Sequence, residues 1–109
     1  MLTGVTLLKS SNSYYCPGFT RAGQKVAVTV EVLILSAGGS GTLDIDIEHK
    51  NEGDTSWTTA ASFTQFTAAG VQTEEVSSPK EILRLKYTVG GSNASDYAHL
   101  HVYPAVWMG

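Results

Sequence analysis

The stretch that decides the fold runs from Val26 to Leu35 and reads VAVTVEVLIL. Apolar side chains fill every second position, which is the period of an extended strand and not the roughly 3.6-residue period of a helix. This alternation places one set of side chains on a single face of the strand: Val26, Val28, Val30, Val32 and Ile34. Leu33 and Leu35 are apolar as well, so we expect the end of the strand to be covered on both sides.

The same period of two returns in the rest of the chain, between turns rich in glycine and serine. Alternating sets follow at Leu43, Ile45 and Ile47, at Leu83, Leu85, Tyr87 and Val89, and at Tyr97, His99, His101 and Tyr103. No segment carries the i, i+3, i+4, i+7 apolar stripe of a helix. We therefore predict an all-β fold, an antiparallel β-sandwich or jelly roll of six to seven strands. We predict an extended N-terminal arm over residues 1–24 and the sandwich over residues 25–109.

Length and composition narrow the class of protein. The chain has 109 residues, enough for one domain with its own core, and 42% of them are hydrophobic, which is too many for a disordered chain. Only 16% are charged and the formal net charge is -3, so we expect no nucleic-acid partner, which would require a basic face. The longest apolar run covers Val32 to Leu35, so we expect no membrane partner. The first residues lack a basic flank and a long apolar segment, so we also expect no signal peptide.

An acidic row at Asp44, Asp46 and Glu48 is the first candidate for chemistry, because carboxylates are the ligands that calcium prefers. Alternate residues of a strand lie about 6–7 Å apart on one face, which is too far for one small ion to gather all three carboxylates. Arg84 and Lys86 face outward on another predicted strand. Pairing of opposite charges across strands is therefore the preferred interpretation, and we predict no metal site here.

His99 and His101 place two imidazoles on one strand face, a spacing that some zinc sites use. A third ligand would have to come from a neighbouring strand, either His49 or the acidic row. The simpler interpretation is a pair of solvent-facing or interface histidines between Tyr97 and Tyr103, whose protonation near pH ~6 would tune an interface. We predict no metal and no cofactor at this position.

The sequence offers no credible catalytic residue. Cys16 is the one cysteine, which excludes an internal disulfide, and it has no partnered base in the sequence around it, so a buried small apolar side chain is the preferred interpretation. The glycine-rich segment 38–41 lacks the lysine and helix that follow a phosphate-binding loop. We therefore predict that the protein is not an enzyme.

Aromatic side chains near the two ends of the chain are the remaining feature. Tyr14, Tyr15 and Phe19 fall in the predicted arm, while Trp107 and Met108 lie near the C-terminus. Apolar side chains at such positions dock either onto the chain's own core or onto a neighbouring subunit. For Trp57 we favour a core position over a platform for sugars. The predicted interface set comprises Tyr14, Tyr15, Phe19, Tyr97, His99, His101, Tyr103, Trp107 and Met108.

The stretch from Leu43 to Trp57, which reads LDIDIEHKNEGDTSW, carries a resemblance. It is similar to small β-rich virion proteins of tailed bacteriophages, in which a strand of alternating hydrophobic residues ending in histidine runs into a turn that precedes a tryptophan. In those proteins an A-x-F segment, a glycine-containing turn and an L-R-[LV]-K-Y-x-V-x-G strand tend to follow. The counterparts here are residues 61–63, Ala69-Gly70 and residues 83–90, and the resemblance covers residues 26–103.

What the resemblance implies is a non-enzymatic structural protein of a phage particle. Its most specific form is a capsid decoration (cement) protein that bridges subunits of the major capsid protein, or another virion protein, and forms a homo-oligomer, with a trimer favoured. Such a chain would be built into the virion in the host cytoplasm. A tail or neck component is the alternative within this class. A carbohydrate-binding or adhesion module, with Trp57 or with Tyr97 and Tyr103 as its platform, is the alternative outside it.

Overall fold

Strands make up all the regular structure in the part of the chain that the computed structural model describes, which is residues 5–8, 14–16, 18–35, 42–90 and 97–108. The all-β prediction is thereby confirmed. The strands are β1 (Val5–Leu8), β2 (Tyr14–Tyr15), β3 (Phe19–Thr20), β4 (Lys25–Leu35), β5 (Thr42–Lys50), β6 (Thr58–Ser62), β7 (Gly70–Ser77), β8 (Ile82–Gly90), β9 (Tyr97–Val102) and β10 (Val106–Met108).

The strands form two antiparallel sheets. In sheet I, β4 pairs with β7 along one edge and with β9 and β10 along the other, and β1 pairs with β9. In sheet II, β8 pairs with β5 along one edge and with β2 and β3 along the other, and β6 pairs with β5. The core residues come from both sheets, so the two inner faces pack on each other as a sandwich.

At two places in the sheets, a pair of short strands takes the place of one continuous strand. β9 and β10 follow the same edge of β4, and Pro104, which has no amide hydrogen for a ladder, lies between them. β2 and β3 likewise share one edge of β8. Counting each interrupted pair as one strand gives sheet orders β1–β9/β10–β4–β7 and β2/β3–β8–β5–β6, which is the eight-strand arrangement of a jelly roll. This count is higher than the predicted six to seven strands. The additional strand is β2/β3, which comes from the predicted arm.

The core follows the alternation that the sequence shows. Val26, Val28, Val30 and Val32 of β4 face the inward side chains of β5 and β8, and all of them are almost fully buried. Each such side chain contributes about 1.5–3 kcal/mol when it leaves water. This apolar layer is what keeps the two sheets together.

The end of β4 departs from the prediction. The pairing of β4 with β9 shifts register between Val32 and Ile34, which is a β-bulge that inserts one extra residue and reverses the alternation. Ile34 is consequently 49% exposed instead of buried, and Leu33 is exposed as well. The expectation that both faces are covered here is therefore wrong, although Leu35 still packs against the core.

The short strands β2 and β3, which the sequence places in an extended arm, supply the edge of sheet II. Tyr14 lies opposite Tyr87 and Phe19 lies opposite Leu83, and both aromatic side chains pack against the core. Cys16 is buried between them; its N–H donates to the Leu85 carbonyl at 3.0 Å, and the Leu85 N–H donates to Cys16 Sγ at 3.0 Å. The predicted arm thus contributes strands to both sheets: β1 pairs with β9 in sheet I, and β2 and β3 pair with β8 in sheet II.

Candidate functional site

The outer face of sheet I carries several exposed apolar side chains. Val71 lies opposite Glu31, and Val106 lies opposite Ala27; both are outward positions of β4, because Val26, Val28, Val30 and Val32 point inward. Val71 is 58% exposed and Val106 is 59% exposed, and the two residues lie on the strands that flank β4 on either side. We define the sheet I patch as the exposed apolar residues of this face: Ile34, Val71, Tyr103, Val106 and Met108.

Polar groups of this face are already paired within the chain. The Tyr103 hydroxyl donates to Glu31 Oε1 at 2.6 Å, and this hydrogen bond raises the pKa of the phenol. The His101 ring stands edge-on to the Tyr103 ring, with 6.4 Å between centroids. Lys25 Nζ lies 3.3 Å from Glu75 Oε1, an exposed ion pair worth about 1 kcal/mol or less. Lys25 and Glu75 neutralise each other, whereas Glu31 keeps its negative charge, because the Tyr103 hydroxyl that donates to it is neutral.

Most of the predicted interface residues lie on this side of the molecule. Tyr97 and His99 share the outward side of β9 with His101, since Ala98, Leu100 and Val102 between and beside them are buried. Tyr103 and Met108 belong to the sheet I patch. Their role at an interface stays a prediction.

Three other residues of the predicted set dock onto the chain's own core. Tyr14, Phe19 and Trp107 pack against the core cluster, which is one of the two placements that the sequence left open for terminal aromatic residues. Tyr15 is different, because it points away from the core on the outer side of sheet II. Neighbouring residues of a strand face opposite sides, so the Tyr14–Tyr15 pair is divided between core and surface.

Charge pairing organises the outer face of sheet II. Glu48 lies opposite Arg84, whose Nε donates to Glu48 Oε1 at 2.8 Å. Glu48 is only 9% exposed, so this ion pair is largely removed from water. The predicted pairing between the acidic row and the basic strand is confirmed for these two residues.

The other carboxylates of the acidic row have partners of their own. Ser62 Oγ donates to Asp46 Oδ1 at 2.7 Å, and Gln65 Nε2 donates to both oxygens of Asp44 at 3.1 Å. Among the described residues, no group of three or more His, Cys, Asp or Glu side chains has the arrangement that would hold a metal ion. The row acts as separate hydrogen-bond acceptors, each with a different neighbour.

The histidine pair does not meet the third ligands considered for it. His99 and His101 lie on β9 in sheet I, whereas His49 and the acidic row lie on β5 in sheet II. His49 Nδ1 accepts a hydrogen bond from the Lys80 N–H at 3.2 Å. Burial and the positive charge of Lys80 both lower the pKa of His49. His49 therefore has a local structural partner on the far sheet.

An aromatic and cationic cluster surrounds Arg84. The guanidinium carbon lies 4.0 Å from the centroid of the Tyr15 ring and 4.3 Å from that of the Trp57 ring, while Lys50 Nζ lies 5.2 Å from the Trp57 centroid. These are cation–π contacts, worth about 0.5–1 kcal/mol each at exposed sites and more where water is excluded. Trp57 is half-buried beside two cations, so it is neither a core residue nor an open platform.

This cluster is the part of the surface that sequence reasoning missed. The outward position of Arg84 was readable from the period of β8, but the residue that stacks on it, Tyr15, comes from a segment without periodic pattern. Only the pairing of Tyr15 with Lys86 across the sheet edge brings that ring to Arg84. No local signal in the sequence gives that register.

Comparison with known proteins gives a fold and no family. No family model matches the chain, and no curated protein matches it. A solved structure described as "CBM4 structure and function" is similar, with a TM-score of 0.56 and 11% sequence identity over 84% of this chain. The chain corresponds to 60% of the length of that protein. At this identity the likeness shows the β-sandwich fold alone. No helix long and apolar enough to cross a membrane occurs in the ranges that the structure describes.

Proposed function

We propose that this protein is a structural component of a tailed-bacteriophage particle, in its most specific form a capsid decoration protein. The observation that carries the proposal is the sheet I patch, a set of large apolar side chains left open to solvent on one face of a small sandwich. The resemblance to phage virion proteins over residues 26–103 supports it independently. Jelly rolls also serve widely as viral capsid domains.

The composition of the sheet I patch suits a permanent contact. Interface cores are depleted in charged residues and enriched in aromatic residues and methionine, and the patch offers Tyr103 and Met108 beside Val71 and Val106. Burying an unpaired charge opposes docking; Lys25 is paired with Glu75, whereas Glu31 accepts only from the neutral Tyr103 hydroxyl. A shell protein that covers this face gains apolar contact and would supply a hydrogen-bond donor or a cation for Glu31.

The mechanism on this proposal is mechanical and involves no covalent chemistry. Each copy buries its sheet I patch on subunits of the major capsid protein, and a homo-oligomer, with a trimer favoured, spans several of those subunits. Bridging raises the barrier to rupture of the shell, because the shell can open only when these contacts break. The same surface would serve a tail or neck component, which is the alternative within the class.

Co-assembly tests the proposal directly. Shells assembled from the major capsid protein of the same phage are mixed with the full chain and sedimented. We expect the wild-type chain to sediment with the shells and Val106→Asp to remain in the supernatant, because an aspartate in the centre of the contact would be desolvated without a partner.

The matched control is Thr55→Asp, which adds the same charge in the exposed turn between β5 and β6. It should sediment like the wild type. Circular dichroism of both variants establishes that the sandwich is intact. A wild-type chain that stays in the supernatant, or a Val106→Asp variant that binds as well as the control, would contradict the proposal.

A carbohydrate-binding module is the second candidate function. The observation that favours it is the exposed Tyr15 ring beside Arg84 on the outer face of sheet II. The solved structure with a similar fold carries a description of the same class, and lectin domains also use jelly rolls. The two functions use opposite faces of the sandwich, so each can be tested without disturbing the other.

A further inference from the structure

We propose that the outer face of sheet II holds a binding site for a neutral glycan, centred on Tyr15. This site, named here the Tyr15 site, comprises Tyr15, Asp46, Arg84 and Lys86. The inference deepens the second candidate function and does not depend on docking through sheet I. It rests on three features of the described residues: an exposed ring, directed polar groups beside it, and a balance of charge.

The Tyr15 ring supplies the apolar platform. Tyr15 is 48% exposed, although the Arg84 guanidinium stacks over its ring at 4.0 Å. The guanidinium fixes the ring on the sheet surface, and the exposed part of the ring remains open to a ligand. Sugar rings present one apolar face of C–H groups, and an aromatic side chain that combines an apolar body with a polar tip suits that face.

Polar side chains stand in line beside the platform. Tyr15 lies opposite Lys86, and Lys86 lies opposite Asp46 on the next strand. Adjacent strands are about 4.8 Å apart, so these three side chains project from the sheet at intervals comparable to one sugar unit. Lys86 donates hydrogen bonds and Asp46 accepts them, which is what a row of hydroxyl groups requires.

Arg84 and Asp46 keep hydrogen-bonding capacity toward a ligand. Arg84 meets Glu48 through Nε, and its two terminal guanidinium nitrogens carry the remaining donors of the side chain. Asp46 accepts from Ser62 through Oδ1, and Oδ2 is the atom left for a hydroxyl group. The centroid of the Trp57 ring lies 4.3 Å from the guanidinium carbon of Arg84, so this ring helps to fix the position of the guanidinium. Trp57 is therefore a positioning residue. A preorganised site of this kind loses little entropy on binding.

Charge on this face selects a neutral ligand. The outward side chains of β5 and β8 include three carboxylates (Asp44, Asp46 and Glu48) and three cations (Lys50, Arg84 and Lys86), which cancel. Acidic and basic residues also alternate across the sheet, so no patch of one sign would attract a phosphate or a uronate. Hydroxyl groups, which both donate and accept, match this mixed surface.

Calorimetric titration of the full chain tests the site. The probes are neutral hexaoses, namely β-1,4-linked glucose, xylose and mannose and α-1,4-linked glucose, with a galacturonic acid hexaose as the acidic comparison. We expect the chain to bind at least one neutral hexaose more tightly than the acidic one. Tyr15→Ala should lower that affinity about tenfold, which corresponds to the loss of one stacking contact.

Two further variants separate the site from a general effect on folding. Tyr15→Phe keeps the ring and should bind within about threefold of the wild type. Thr73→Ala removes an exposed side chain from the outer face of sheet I and should leave glycan affinity unchanged. No binding of any neutral hexaose, an unchanged affinity in Tyr15→Ala, tighter binding of the acidic hexaose, or a loss confined to Thr73→Ala would each overturn the inference. Sedimentation with capsid shells depends on Val106 and not on Tyr15. The capsid proposal and the glycan proposal can therefore each fail without the other.

Discussion

Tyr87 shows how a single residue sets the response of the fold to pH. It is 1% exposed in the core, and its hydroxyl is the buried side-chain polar atom without a hydrogen-bond partner among the described residues. Burial, with a smaller contribution from Cys16, raises the pKa of the phenol. Burial likewise raises the pKa of the Cys16 thiol. Both groups are therefore held in their neutral forms by the same apolar surroundings.

We predict a loss of stability in alkaline solution. The ordinary pKa values are 9.0 for the thiol and 10.0 for the phenol, so above those pH values the unfolded chain releases protons that the folded chain retains. The free energy of unfolding should be nearly constant between about pH 7 and 9 and fall as the pH rises beyond that range. Urea unfolding at a series of pH values between 7 and 11 measures this slope.

The variant for this prediction is Tyr87→Phe, which removes the titrating group and the unpaired hydroxyl together. It should raise the free energy of unfolding by about 1 kcal/mol at pH 7 and make the alkaline decline shallower. Tyr103→Phe is the control at neutral pH, because it removes a hydroxyl that is paired with Glu31 and should therefore not raise the free energy of unfolding. A Tyr87→Phe variant that is less stable than the wild type at pH 7 would show that the hydroxyl has a partner.

At the scale of elements, the edge strand β2/β3 is the least expected part of the fold. The two short strands cover one edge of β8, and their inward residues complete the core around Cys16. Because Tyr14 points inward and Tyr15 outward, one dipeptide contributes to both stability and surface. Removal of residues 1–20 would therefore uncover core residues of sheet II as well as shorten the chain.

The neighbouring tyrosines give a matched test of this edge. We predict that Tyr14→Ala lowers the free energy of unfolding by about 2–3 kcal/mol, because it uncovers apolar area that the ring now buries. Tyr15→Ala removes the same atoms from the outer side and should cost about 1 kcal/mol or less. Chemical denaturation of both variants decides the matter. Equal losses would mean that the edge strand does not adopt this orientation.

The sequence predicted the parts of the fold that depend on local alternation. The buried faces of β4, β5 and β8 follow the period of two, and so does the meeting of Glu48 with Arg84, since both stand on outward positions of adjacent strands. It failed at Ile34, where a bulge in the pairing with β9 reverses the alternation. Bulges, and the register between strands that are distant in the chain, are set by pairing across the sheet. A local sequence pattern carries no information on that pairing.

The candidate site was predicted in part for the same reason. His101 and Tyr103 could be placed on one strand face from the alternation of the last strand, whereas Met108 was left open between the core and a neighbouring subunit; the structure puts all three on one face. Tyr15 and Arg84 are separated by many residues in the chain, and only the pairing of β2 with β8 joins them. Exposure of Val71 and Val106 was not foreseen, because valine in an alternating segment ordinarily predicts the core.

At the scale of the whole molecule, the two candidate surfaces lie on opposite sides of a thin sandwich. The Cα extents are 41 × 27 × 19 Å, and the sheet I patch and the Tyr15 site occupy the outer faces of the two sheets. A copy that docks through sheet I keeps the outer face of sheet II in solvent. Particle attachment and glycan binding are therefore compatible in one chain.

Oligomeric state is the prediction that belongs to this scale. We expect light scattering of the purified chain to give a trimer, as bridging of capsid subunits favours. Val106→Asp at the same concentration tests whether the sheet I patch also joins the copies to one another. A monomer would favour the carbohydrate-binding module, and a hexamer or larger ring would favour a tail or neck component.

The interrupted edge strand of sheet II affects whether closely packed copies of the protein associate through their sheet edges. A long, regular edge strand offers unpaired N–H and C=O groups on which a second chain can add a strand and start a fibre. Here β2 and β3 are each two residues long, and the opposite edge, β6, is short and pairs with β5 through a register shift. On sheet I, the edge strand β7 carries Glu74 and Glu75, whose charges repel a second copy of the same strand. Many copies can thus stand side by side at high local concentration without polymerising through these three edges.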